Sequence, residues 1–141
     1  MTEIKKQNRA GVLIFKDQKI LVFHRIKQAG PVAEFYAIPG GSIEEDETAQ
    51  QAAVRELQEE LGLEIDLGPL FLHCVNDKRD EYYFLADTWS GVPVLGGPEL
   101  AMHCSTNQYN VKWLTVEQLK VANLYPEKLK DVLIVYMQLQ E

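Results

Sequence analysis

The stretch "AGVLIFKDQKILVFHRI", residues 10–26, sets two uninterrupted apolar runs on either side of a polar Lys16–Lys19 segment. That pattern predicts a hairpin whose strands are buried on both faces. "EFYAI" reads as a further short strand, stopped by the breaker residues Pro39, Gly40 and Gly41. "LFLHCV" and "EYYFLADTW" form a second strand pair around an Asn76–Asp80 turn. "SGVPVLGGPEL" reads as a Gly/Pro-rich loop, and "YNVKWL" as the last strand.

Helical spacing is strongest from about Thr48 to Leu61. Thr48 with Gln51 three residues on is a capping-box pattern, and Gly62 suits the left-handed position just past a helix end, with Leu63 folding back on Leu57. Thr115 and Gln118 repeat the capping box for a short helix around Val116–Ala122. Pro126 suits the first turn of a final helix, in which Leu129, Val132, Leu133 and Tyr136 recur at helical spacing. Strands mixed with few helices, without regular βαβ alternation, predict an α/β (α+β) architecture with helices packed on a mixed sheet.

Composition adds bounds. At 141 residues, 46% hydrophobic and 25% charged, the chain fits one soluble domain over residues 1–141. Its apolar runs are too short to span a bilayer, and the first ten residues lack the apolar core of a signal peptide, so the expectation is a cytoplasmic protein without a membrane role. Cys74 and Cys104 lack metal-ligand spacing and read as reduced, buried thiols. A net charge of −7 argues against a nucleic-acid polymer as partner, yet leaves room for a small phosphorylated ligand met by a divalent cation.

"RELQEELG", residues 55–62, concentrates that charge. At 100° per residue, Ala49, Ala53, Val54, Leu57 and Leu61 share an apolar arc roughly 140° wide, and Glu56, Glu59 and Glu60 fill the neighbouring roughly 100°. Like charges so spaced repel, and Arg55 offsets one of them at best. A solvated charged face is the plain reading. Against it, the acids border the apolar stripe and follow a Gly-Gly segment and Glu47, a set of oxygen donors suited to Mg²⁺ or Mn²⁺.

Gly41, Glu47, Arg55-Glu56-Leu57, Glu59-Glu60 and Gly62-Leu63 reproduce the spacing G-x5-E-x7-R-E-U-x-E-E-x-G-U, and on these residues the chain resembles the Nudix hydrolase family. The resemblance is specific over Gly41–Leu63 and generic in the flanking hairpin, "IPGG" and "YYFLA". It implies a Nudix fold, an α/β/α sandwich with a central mixed β-sheet, and Mg²⁺-dependent hydrolysis of a nucleoside diphosphate linked to another moiety. A nucleoside triphosphate, ADP-ribose or a dinucleoside polyphosphate would serve as substrate. Carried over by position, Glu56, Glu59 and Glu60 would bind metal with help from a Gly40 or Gly41 carbonyl. Glu47 would be an outer ligand or orient a metal-bound water, and Arg55 would hold the glutamates by charge-assisted hydrogen bonds. Asp46 stands where many members have glycine, which bears on the local turn alone.

Outside the box, Glu99 in "GGPEL" is a candidate general base or a plain loop acid. Arg25 is a candidate phosphate contact or an ordinary surface arginine, and Tyr82 with its neighbours Tyr83 and Phe84, or Phe35, is a candidate for stacking on a base or else core. Side-chain alternation lets one face of that strand at most meet a ligand. His73 and His103 read as structural. Two rival functions share the scaffold: a non-catalytic nucleotide-sensing module, and a non-nucleotide phosphohydrolase or isomerase. The "SQPWPF"-like signature of NADH-type substrates is absent, and a homodimer is possible.

Overall fold

The computed structural model describes residues 7–141 apart from positions 29, 32, 77 and 105, and the side chains of 98, 99 and 101 are likewise outside the description. Nine strands and four helices follow one another in these residues. Strands are β1 (Arg9–Leu13), β2 (Phe15–Lys16), β3 (Lys19–Lys27), β4 (Ala33–Ala37), β5 (Gly40–Ser42), β6 (Glu64–Val75), β7 (Asp80–Ser90), β8 (Asn107–Leu114) and β9 (Leu124–Tyr125). The helices are α1 (Ala49–Leu61), α2 (Gly97–Met102), α3 (Val116–Val121) and α4 (Glu127–Leu139). No helix among the described residues is long and apolar enough to cross a membrane.

The strands form a four-stranded sheet, β5-β1-β7-β6, and a five-stranded sheet in which β3 pairs with β2, β4 and β8 and β9 extends β4. Both are mixed: β1 runs parallel to β7, and β4 parallel to β9, with the other pairs antiparallel. The predicted hairpin is therefore short. Phe15–Ile20 and Lys16–Lys19 pair around Asp17 and Gln18, both at positive φ, but β1 ahead of them belongs to the other sheet. Paired residues in a tight two-residue turn need that left-handed backbone.

Burial on both faces holds, and the alternation shows why. Ala10, Val12, Leu21, Phe23 and Phe84 pack toward α1, while Leu13, Ile20, Val22 and Tyr83 pack toward α3 and α4. Side chains of a strand alternate, so strands of both sheets act as one layer between helices, an α/β/α sandwich.

Local signals located the helices well. Thr48 and Thr115 each close a capping box, with Gln51 and Gln118. Gly62 takes φ 68°, its N–H bonding Gln58 O while Leu63 N–H reaches back to Leu57 O, satisfying the last carbonyls of α1. Four expectations change. Gly40 and Gly41 do not merely stop a strand; they form β5, because a Cβ at Gly40 would overlap the Ala10 carbonyl of β1. The Gly/Pro-rich loop contains α2. On α4, Leu129, Leu133 and Met137 are buried, whereas Val132 faces solvent. Of the two free thiols, Cys74 is buried but Cys104 is exposed.

Candidate active site

Helix α1 buries most of its apolar arc, Ala53, Leu57 and Leu61 with Ala49 packed beside them, but is rolled so that Val54 turns outward and Ala52 inward. Ala52, Ala53, Leu57, Glu60 and Leu61 are its buried residues, and Val54 is 38% exposed. The rotation follows from β5: without a Cβ, Gly41 lets the Glu56 carboxylate lie against its backbone, a place that any side chain there would fill. Glu60 is 2% exposed, because at 100° per residue it falls between Ala49 and Ala53, inside the apolar arc and not beside it. Burying a carboxylate is costly unless donors or a cation meet it.

Arg55 organises the other acids. Its Nε donates to Glu47 Oε2 at 2.7 Å, Nη2 to Glu47 Oε1 at 2.9 Å and to the Ser42 carbonyl at 3.0 Å, and Nη1 to Glu56 Oε1 at 3.0 Å and Glu59 Oε2 at 3.2 Å. A guanidinium has five N–H donors in a fixed fork, and all are engaged. Arg55 thus offsets three carboxylates, not one. Its own proton is bound more tightly than usual, chiefly through Glu47.

Glu47 reaches this position from the 43–47 turn. Glu47 N–H donates to the Glu44 carbonyl at 3.1 Å and Glu44 N–H to Glu47 Oε1 at 3.1 Å. Asp46 adopts φ 67°, the left-handed backbone that glycine takes freely and aspartate tolerates. The turn therefore closes without the glycine common in the family. The Arg55 hydrogen bonds, then the Glu44 N–H, lower the Glu47 carboxyl from 4.5 to about 2. Its folded pKa lies below the unfolded one, so this pairing contributes stability that is present in full above about pH 4.5 and is lost as pH falls from there toward about 2. Urea midpoints followed from about pH 6 down to about pH 3 are expected to fall more steeply in wild type than in Glu47→Gln, which has no such proton to bind; parallel curves would show that Glu47 carries none of the acid sensitivity.

Among the described residues, no three acidic, histidine or cysteine side chains converge closely enough to hold a metal ion by themselves. The nearest set is all oxygen: Glu56 against Gly41, Glu59 half exposed on the same helix side, buried Glu60, and the carbonyls of β5. Hard oxygen donors beside a narrow backbone are the chemistry that Mg²⁺ or Mn²⁺ accepts, with water completing the shell.

Beside Glu60 opens a cleft of about 460 Å³, bordered by Gly40 and by strands of both sheets. Aromatic walls come from Phe23, Phe35, Tyr83, Tyr109 and Tyr125, and cations from Arg9, Arg25 and Arg79. Arg25 is not an ordinary surface arginine. Its guanidinium lies 3.9 Å from the centre of the Tyr109 ring, Nη2 donates to Asn107 Oδ1 at 3.2 Å, and its buried Nε has no hydrogen-bond partner. Tyr82 lies elsewhere, stacked on His73 with centroids 4.4 Å apart; by alternation it is Tyr83 that borders the cleft. The Glu99 side chain lies outside the described residues, although its backbone is part of α2. His103 is structural, Nδ1 accepting from Tyr109 N–H at 3.1 Å.

Sequence reasoning missed Arg9, Arg79, Glu81 and Tyr109. They are scattered over 100 residues and meet through nonlocal pairing. One signal was present: Glu81 is an acid at the start of the apolar strand "YYFLA", and it is buried, 6% exposed.

The NUDIX domain family model matches residues 5–133. An 8-oxo-dGTP diphosphatase from Proteus vulgaris is 31% identical over 93 residues, covering 63% of this chain and 82% of that protein. A CTP pyrophosphohydrolase from Escherichia coli is 45% identical over 58 residues, 41% of this chain and 42% of that one. Among solved structures, a NUDIX-family hydrolase from Clostridium perfringens superposes with a TM-score of 0.66 at 21% identity, covering 97% of this chain and 99% of that one.

Proposed function

From the premise that this chain belongs to the NUDIX family, hydrolases of phosphorus-containing anhydrides, we propose that it is a divalent-metal-dependent pyrophosphohydrolase of a nucleoside diphosphate derivative, with nucleoside triphosphates as the leading class. The observation that carries this reading is Glu60, which belongs at once to the acidic row of α1 and to the wall of the aromatic, arginine-lined cleft. The acids and the binding space for a flat, anionic ligand therefore meet at one point. Relatives of this chain include enzymes named for 8-oxo-dGTP and for CTP, which supports the substrate class.

Glu56, Glu59 and Glu60, with a Gly41 carbonyl, would hold Mg²⁺ or Mn²⁺; such an ion, when bound, neutralises phosphate charge and acidifies a water. Arg25 borders the cleft and would turn guanidinium N–H groups to a phosphate oxygen, its stacking on Tyr109 keeping the fork oriented. Phe35 and Tyr125, edge to face at 6.4 Å, offer surfaces on which a base can stack. Glu47 and Arg55 hold Glu56 in line. Glu59, 50% exposed and tied by a single 3.2 Å contact, is the least constrained of the three and would meet the ion from the solvent side.

Incubation with a panel of nucleoside triphosphates, ADP-ribose and dinucleoside polyphosphates, with products identified by mass, tests the reading. A mononucleotide is expected with Mg²⁺, together with pyrophosphate from a triphosphate, ribose 5-phosphate from ADP-ribose or a second nucleotide from a dinucleoside polyphosphate, and none of these with EDTA. Turnover unaffected by EDTA, or no release from any member, refutes it.

A further inference from the structure

Glu81 is a buried carboxylate that the chemistry above does not use. On β7, it borders the cleft from the side opposite in chain position to the acid helix. Tyr83 Oη donates to its Oε1 at 2.6 Å, and Asn76 Nδ2 donates to its Oε2 at 3.0 Å. The Asn76 amide is itself oriented, because its Oδ1 accepts the backbone N–H of Lys78 at 2.9 Å and of Arg79 at 3.0 Å. Burial raises the Tyr83 phenol above its usual value, keeping it a donor. The nearest Arg79 nitrogen stays 3.7 Å away, beyond a hydrogen bond. An ionised carboxylate has about four acceptor positions, so two protein donors fix it and leave acceptor capacity on the cleft wall.

The remaining polar side chains of that wall are mostly donors: Arg9, Arg25, Arg79 and the tyrosine hydroxyls. An acceptor-only group among them is complementary to an amino group. Carboxylates accept from the exocyclic amine of cytosine in nucleic-acid recognition, and adenine and guanine carry amines of the same kind. Uracil and hypoxanthine present carbonyl oxygens there, which a fixed carboxylate repels.

We propose that Glu81, held by Tyr83 and Asn76, is the specificity residue through which the cleft selects bases bearing an exocyclic amino group over their keto counterparts. This rests on the reading of the cleft as a nucleotide site, and it is tested by binding, apart from turnover.

Calorimetric titration of the metal-free protein with CMP and UMP, and with AMP and IMP, gives the readout. Wild type is expected to bind CMP and AMP about tenfold more tightly than UMP and IMP, the scale of one good base contact. In Glu81→Gln, an isostere with both donor and acceptor, that ratio is expected to fall to about twofold or less. Equal or undetectable binding of CMP and UMP by wild type overturns the proposal, as does a Glu81→Gln protein that keeps the tenfold ratio. Discrimination in binding without hydrolysis of any triphosphate would leave this inference standing while removing the enzymatic reading.

Discussion

Glu56→Gln and Glu60→Gln are each expected to lower turnover at saturating Mg²⁺ by at least about a hundredfold, with the fold retained. Changes to groups that merely support metal ligands cost about 10- to 100-fold in affinity or activity, and these two are placed as ligands themselves. Glutamine matches glutamate in shape, so neither variant opens a cavity. Glu56 would still lie in the space left by Gly41, and Glu60 would still sit in the interior of α1. What disappears is negative charge next to a site that must collect a cation. Circular dichroism should superpose on wild type, and Mn²⁺ titration should show weaker uptake. Wild-type turnover in either variant would remove that glutamate from the ligand set.

Arg55→Lys should lose a comparable factor for a different reason. All five guanidinium donors are committed, two of them to Glu47, and a lysine ammonium has three donors and no planar fork. Lysine keeps the charge but gives up at least two of the five hydrogen bonds. Glu56 then loses its alignment against β5, and a displacement near 1 Å can cost about a hundredfold in rate. The loss should appear in kcat and resist added Mg²⁺, because the ligands remain present but misaligned. If a Mg²⁺ excess restores the rate, Arg55 acts on affinity for the ion and not on geometry. The same substitution should also move Glu47 back toward its ordinary carboxyl range, since Arg55 is the largest cause of its shift.

Local chemistry was legible in the chain; pairing was not. Thr48 with Gln51, Thr115 with Gln118 and Gly62 each mark a helix end through groups within a few residues, and each end falls where those groups place it. The acids of α1 and their spacing to Gly41 and Glu47 were likewise readable. Strand partners depend on residues far apart: β1 lies beside β7, some seventy positions away, and no feature of "RAGVL" announces this. Gly40 reads as a breaker because glycine weakens a strand, yet it is required here since a backbone passes too close for a side chain. Which of Tyr82 and Tyr83 faces a ligand turns on strand parity, invisible until the sheet exists. The burial of Glu60, by contrast, was within reach of helical periodicity, since at 100° per residue it falls between Ala49 and Ala53 inside the apolar arc.

The strand that leaves one sheet at Leu13 and enters the other at Phe15 has a mechanical consequence. Phe23, Arg25, Phe35 and Tyr109 ride on one half of the layer, and Arg9, Glu81 and Tyr83 on the other. The Arg55 network, by contrast, is carried by α1, β5 and the turn between them. Changing side chains on β3, β4 and β8 would widen or narrow the grip on a guest while the acids keep their mutual alignment. The Arg9 side shares its support with the acid network, because β5 pairs with β1 at Arg9 and Ser42, whereas the side built on β3, β4 and β8 can be reshaped for new guests without retuning that network.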